Sequence, residues 1–173
     1  METLVDEAHA EGATWADVAL RHAPALFRLA VMLTGSRADA EDLLQSCLER
    51  AGRHGDRIAS MAAPAAYLRR VLVNEHLSRG RRLMRRVREV SAESAPEPST
   101  PASIDAIDHR DEAWRWLATL PRQQRAVLVL RFYEDLPDDE IAGILGCSRV
   151  TVRSNASRGL ASLRARLTTT EPS

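Results

Sequence analysis

An all-α chain, two small helical domains joined by a flexible linker with a helix-turn-helix in the second, is the fold class that three features of this sequence predict. Apolar residues recur at three- and four-residue spacing along most of the 173 positions, which is the period of one face of a helix. Alternating β-branched runs bounded by turn residues, the mark of strands, are missing. One stretch, "SAESAPEPSTPAS" at 91–103, replaces the periodicity with proline, serine and alanine, a composition that buries too little apolar surface to fold by itself. The implied organisation is an N-terminal domain over 1–90, a linker over 91–108 and a C-terminal domain over 109–173.

In the first domain Pro24 predicts the first turn of a helix, because its fixed φ and missing N–H suit that place. Leu26, Leu29, Ala30 and Leu33 then share one face, and Gly35 ends the helix. Ser36 fits the N-cap of the next, with Asp39 in the capping-box position and "ADAEDLLQSCLERA" carrying the helix on. Leu43, Leu44, Cys47, Leu48 and Ala51 form its apolar stripe, while Asp39, Glu41, Asp42 and Gln45 lie away from it. Acids in a first turn complement the helix dipole, worth about 0.3–1 kcal/mol each; they also make a compact anionic knob for a basic partner. Both readings stand at this level.

Pro64 opens a further helix, "AAYLRRVLVNEHLSRGRR", with Leu68, Val71 and Leu72 on one face and Arg70, Asn74 and Leu77 on another. Glu75 intrudes on the apolar stripe. Past Gly80 the pattern yields to arginine: positions 79, 81, 82, 85, 86 and 88 hold six, with no acid among them. Such a run is either a solvated face or a surface for phosphate, where each contact releases counterions and binding falls with salt.

In the second domain Trp114, Leu117 and Leu120 line one helix, Pro121 starts another over "RQQRAVLVLRFYEDL", and residues 138–145 make a third. Ile141, Ile144 and Leu145 form its core stripe, Gly146 takes the left-handed conformation that ends it, and Ser148 caps the helix that follows. Ala142, Gly146 and Val152 put small, turn and apolar residues where a helix-turn-helix needs them. At 100° per residue, Val152, Ala156, Leu160 and Leu163 fall within one arc and face the core. The opposite arc holds Val150, Thr151, Ser154, Ser157 and Arg158, flanked by Arg149 and Arg153. Arginine can fork onto guanine edges or phosphate, hydroxyls can meet phosphate or base, and Val150 can meet a thymine methyl.

Charge supports that second reading. All 24 basic side chains are arginine, and the formal net charge is zero; yet from Ile141 to Leu167 five arginines (149, 153, 158, 164, 166) stand without one acid. Other classes of function are excluded on equally simple grounds. The acidic opening "METLVDEAHAEG" lacks the order of a signal peptide, and no apolar run approaches the roughly 20 residues of a membrane span, so a cytoplasmic chain without membrane contact is expected. Cys47 and Cys147 have no metal or disulfide spacing. Histidines 9, 22, 54, 76 and 109 are scattered, and no serine or cysteine has a neighbouring base. Neither catalysis, a metal nor a cofactor is expected.

"LPRQQRAVLVLRFYEDLPDDEIAGILGCSRVTVRSNASRGLASLR" resembles the promoter-reading C-terminal domain of extracytoplasmic-function (ECF) sigma factors, in their actinobacterial sigma-E-like form. "LTGSRADAEDLLQSCLERA" and "AAYLRRVLVNEHLSRGRR" resemble the two halves of their N-terminal domain, in the same order. The resemblance implies an alternative specificity subunit that binds core RNA polymerase and directs promoter-specific initiation. Asp39, Glu41, Asp42, Leu43, Leu44 and Gln45 would dock on the clamp helices of the largest subunit, and the flap of the second-largest subunit would be a further contact. Arg70, Asn74, Arg79, Arg81, Arg82 and Arg85 would melt and hold the minus-ten element of promoter DNA. Arg149, Val150, Thr151, Arg153, Ser154, Ser157 and Arg158 would read the minus-thirty-five element. The linker would thread toward the RNA exit path, and an anti-sigma factor is a further expected partner.

Several positions depart from the family pattern. Gly52 and Arg79-Gly80 stand where tryptophans are usual, Ser46 where an acid follows the glutamine, Glu75 where an apolar residue is usual, and Pro137 in place of a serine cap. Fewer aromatics at the melting segment imply weaker strand opening or help from another factor. Two other classes compete: a polymerase-independent helix-turn-helix repressor, and a protein adaptor that has lost DNA binding. The acidic knob disfavours the first, and the arginine-bearing helix the second.

Overall fold

A computed structural model of the chain describes residues 13–90 and 111–169. The expected linker lies outside the described residues, as do positions 109 and 110 at the expected start of the second domain. Among the described residues the chain is all helix, with no strand. The N-terminal half comprises α1 (Trp15–Thr34), α2 (Arg37–Gly52), α3 (Gly55–Ala59) and α4 (Pro64–Val90). The C-terminal half comprises α5 (Asp111–Ala118), α6 (Arg122–Leu128) with a π turn over Val129–Tyr133, α7 (Asp138–Leu145) and α8 (Arg149–Thr169).

α1 begins well before Pro24, which corrects the start expected from that proline. Thr14 and Asp17 form a capping box: the Asp17 N–H donates to Thr14 Oγ1 at 3.3 Å, and Thr14 N–H donates to the Asp17 carboxylate at 2.9 Å. That local pair nucleates the helix, and Pro24 sits inside it. A proline there deprives the carbonyl four residues back of its donor; that residue, Leu20, is 77% exposed, so the carbonyl lies on the side where water can meet it. Gly35 ends α1 at φ 75°. Ser36 then caps α2, its Oγ accepting from Asp39 N–H at 3.3 Å.

Two glycines exist to admit one indole. A Cβ on Gly52 would lie 3.1 Å from Trp15 Nε1, and one on Gly55 only 2.7 Å from Trp15 Cγ. The aromatic absent from position 52 is thus replaced in space by Trp15 from α1. The first-half core is completed by Leu29, Leu33, Leu43, Ile58, Leu68 and Leu72, all with essentially no exposure. Pro64 begins α4 as expected, and the helix continues through the arginine run to Val90.

In the second half, Val127 to Leu130 are all buried, because this stretch packs on α8 behind and on α1 and α4 in front. The helix expected to run on through 136 instead widens into the π turn. Glu134 N–H donates to Val129 O, Leu136 N–H donates to Leu130 O, and Asp135 adopts φ 52°, which turns the chain into α7.

Between the halves the directional contacts are polar. Buried Arg125 donates to Leu33 O at 2.9 Å, Thr34 O at 3.1 Å, Leu120 O at 3.3 Å and also Ala118 O. It satisfies carbonyls that the ends of α1 and α5 leave without partners. Arg69 pairs with Glu134 at 2.6 Å and Glu140 at 3.5 Å. Arg122 donates to His76 O at 3.2 Å and crosses Gly80, where a Cβ would come within 2.6 Å of its Cδ. The second missing aromatic, at Gly80, is therefore room for an arginine.

Candidate nucleic-acid interface

α7 and α8 form the helix-turn-helix. Gly146 closes α7 at φ 64°, with its N–H on Ala142 O. Ser148 Oγ accepts from Thr151 N–H at 3.1 Å and so opens α8. Val152 and Ala156 are buried, and Leu160 and Leu163 half-buried, so the arc assigned to the core is the arc that packs. Outward stand Arg149, Val150, Arg153, Ser157 and Arg158, all exposed, with Thr151 and Ser154 half-buried beside them. Val150 is 74% exposed, an apolar side chain in water on a face otherwise polar.

Two of these arginines are held by the first turn of α7. Arg149 Nε lies 2.7 Å from Asp139 Oδ1, and Arg153 Nε 3.2 Å from Asp138 Oδ2. Asp138 also pairs with Arg131. The hydrogen bond from Arg131, then that from Arg153, hold the Asp138 carboxyl below its usual range. Asp138 and Arg131 stand seven residues apart across a turn, and no local pattern marks the pairing in advance.

On α4, Arg70, Asn74, Arg81, Arg82 and Arg85 are exposed, and Arg81 donates to Ser78 Oγ at 2.9 Å. Arg79 differs from the set in which it was expected. It turns to α2, donating to Asp42 O at 2.9 Å and to Ser46 Oγ, with Glu75 3.6 Å away. Glu75 also takes Arg50 at 3.1 Å. The three departures at Ser46, Glu75 and Arg79 are therefore one linked group, in which a buried carboxylate is matched by two guanidiniums.

On α2, Asp39, Glu41, Asp42 and Gln45 are exposed and Leu44 half-buried. Leu43, expected on the docking surface, has 0% exposure: it supports α2 from within and corrects that assignment. Glu41 meets Arg37 at 3.2 Å, and Gln45 donates to Glu49 at 2.9 Å.

Neither cysteine is poised for nucleophilic attack. Burial, then the Glu75 charge, pushes the Cys47 thiol up to about 12, and burial also raises Cys147; a thiol so shifted is a poor nucleophile. Among the described residues no His, Cys, Asp and Glu cluster could hold a metal ion, and no helix is long and apolar enough to cross a membrane.

Comparison with known proteins places these surfaces in a family. The model of Sigma-70 region 2 matches residues 18–86, and that of Sigma-70 region 4 matches residues 110–163. An RNA polymerase sigma-E factor of Streptomyces avermitilis is 36% identical, over 92% of this chain and 88% of its own length. The ECF RNA polymerase sigma factor SigL of Mycobacterium tuberculosis is 34% identical, over 91% and 94% respectively. Among solved structures, the sigma factor RpoE of Bartonella quintana, in complex with the anti-sigma factor NepR, is 25% identical; it aligns over 88% of this chain and 95% of its own with a TM-score of 0.65. Region 2 falls on the helices bearing the acidic and arginine faces, region 4 on the helix-turn-helix, and named sigma factors match the chain along most of their own length: the chain belongs to the ECF sigma factors of bacterial RNA polymerase.

Proposed function

We propose that this sigma factor docks on core RNA polymerase through the acidic face of α2 and reads promoter DNA at two places. Asp39, Glu41, Asp42, Leu44 and Gln45 meet the clamp helices of the largest subunit. Arg70, Asn74, Arg81, Arg82 and Arg85 hold the minus-ten element, with Arg79 behind them fixing α4 to α2. The outward side of α8 reads the minus-thirty-five element, while α5 to α8 meet the flap of the second-largest subunit. The observation that carries this reading is the sorting of exposed charge: carboxylates gather on α2, guanidiniums on α4 and α8. Action on promoter DNA puts the protein in the cytoplasm. An anti-sigma factor is a further partner, supported by the complex in which the similar RpoE was solved.

Scale adds one requirement. Elements about 25 base pairs apart lie about 85 Å apart along a duplex, whereas a compact chain of 173 residues has a radius of gyration of about 16 Å. The halves must part for both to be read. Residues 91–108 reach about 60 Å when extended, which together with the breadth of each half covers the gap.

The test is reconstitution with core RNA polymerase on genomic DNA, with sequencing of the transcript 5′ ends. Specific starts are expected, and Asp42→Arg should abolish both core binding and starts while leaving the circular dichroism spectrum unchanged. Binding to core that survives Asp42→Arg refutes the docking face. Absence of specific starts with the unaltered chain returns the field to the repressor and the adaptor.

A further inference from the structure

Arg153 projects from α8 toward solvent, 64% exposed, yet its Nε is tied at 3.2 Å to a carboxylate that belongs to another helix. That carboxylate, Asp138, is itself only 18% exposed and is gripped on its other oxygen by Arg131, 25% exposed. The group Arg131–Asp138–Arg153 carries one net positive charge, so it does not repel a duplex as an unmatched carboxylate would. The neighbouring pair Arg149–Asp139 lacks this second clamp, and both its members are more than half exposed, so water competes freely for it.

We propose that Asp138 is a positioning residue for promoter reading: it fixes the guanidinium plane of Arg153 toward a base edge and withholds it from passing phosphates. The inference rests on the assignment of α8 to the minus-thirty-five element. A guanidinium on an unrestrained stem bonds whichever phosphate is nearest, and such contacts carry no sequence information. Bidentate contact with guanine requires the fork to arrive in one plane. Anchoring by Nε engages one of five N–H groups and leaves four at the exposed end. Asp138 thereby lowers general affinity for DNA and raises discrimination.

The experiment uses the full chain assembled with core RNA polymerase and a duplex library randomised across the upstream element; bound DNA is sequenced at several salt concentrations. The unaltered protein should enrich a base at the position Arg153 reads. Asp138→Asn should lower that enrichment by about tenfold, toward the low end of what one bidentate contact contributes. Binding to scrambled duplex should rise, and the slope of log affinity against log salt should steepen by about 0.9 as one more phosphate is neutralised. Asp138→Glu should restore part of the preference. In an Arg153→Ala background, Asp138→Asn should leave the base enrichment unchanged.

Arg131→Gln removes the other clamp and isolates the structural share of the triad. It should reduce stability and, with Asp138 left on a single clamp, lower the preference by less than Asp138→Asn does, and it remains informative if Asp138→Asn fails to fold. An enrichment profile unchanged in Asp138→Asn, an equal loss in the Arg153→Ala background, or a larger loss of preference in Arg131→Gln than in Asp138→Asn overturns the proposal. If the unaltered protein enriches no upstream base at all, the assignment of α8 to that element fails first, and the positioning role falls with it.

Discussion

Around Leu33 and Leu68 in the N-terminal half, and around Leu130 and Ile141 in the C-terminal half, side chains have lost all contact with water to other hydrocarbon. Between the halves, buried apolar side chains also meet, but the directional contacts are guanidiniums on carbonyls and carboxylates: Arg125 on Leu33 and Thr34, Arg122 on His76, Arg69 on Glu134. Two buried nitrogens at this seam, His76 Nε2 and Arg125 Nε, find no partner among the described residues. The contrast is one of replaceability. Hydrocarbon removed from its packing has only water to meet, at a cost that grows with area; a guanidinium or carbonyl released from the seam exchanges one hydrogen bond for another. Water can stand in for the hydrogen bonds of the seam but not for the hydrocarbon packing within each half.

The largest effect is expected inside a half. Leu33→Ala removes a side chain with no exposure and should lower stability by about 2–5 kcal/mol, read as a shift of the urea midpoint. A cost below about 1 kcal/mol would mean that the site collapses around the loss, and α1 would not be the spine of that half. Arg125→Ala should come next, at about 1–3 kcal/mol, because buried carbonyls of α1 and α5 lose their donor. Its second readout sharpens the comparison: the hydrodynamic radius of the free protein should grow while helix content stays constant. Loss of helix in proportion to the expansion would show that the seam and the halves melt as one unit.

Features set by local chemistry were legible in the sequence. Gly35 and Gly146 end helices, Ser36 and Ser148 cap them, and Pro64 opens one, since each depends on residues within a turn of itself. Pro24 misled because a proline is a weaker start signal than the Thr14–Asp17 box upstream, which "TWAD" does contain. The outward side of α8 followed from angle counting alone. Leu43 did not, because angular position shows which residues share a face but not how far burial extends around it. Arg79 and Arg125 were beyond reach for a different reason: one stands within a basic cluster and the other heads an apolar run, and their partners, Ser46 and Leu33, belong to distant helices. Likewise Gly52 and Gly80 read as lost aromatics until Trp15 and Arg122 are seen to occupy the space.

The smallest effect tests the seam by protonation. Burial first, then the charges of Arg122, Arg125 and Arg79, push His76 down to about 3, while Glu75 on its own helix is taken up by Arg50 and Arg79. A histidine released into water titrates near 6.5. The unfolded or parted chain therefore binds a proton between those two values while the closed chain does not, so closed-state stability is whole above pH 6.5 and falls as the pH drops below it. From pH 6.5 to 5.5 the loss should be about 1 kcal/mol, measured by urea unfolding at the two pH values. His76→Leu, which replaces the imidazole with hydrocarbon, should flatten that interval. A slope that persists in the variant assigns the proton uptake to another group; a flat response in the unaltered protein means that His76 already meets water, and that the seam is open at rest.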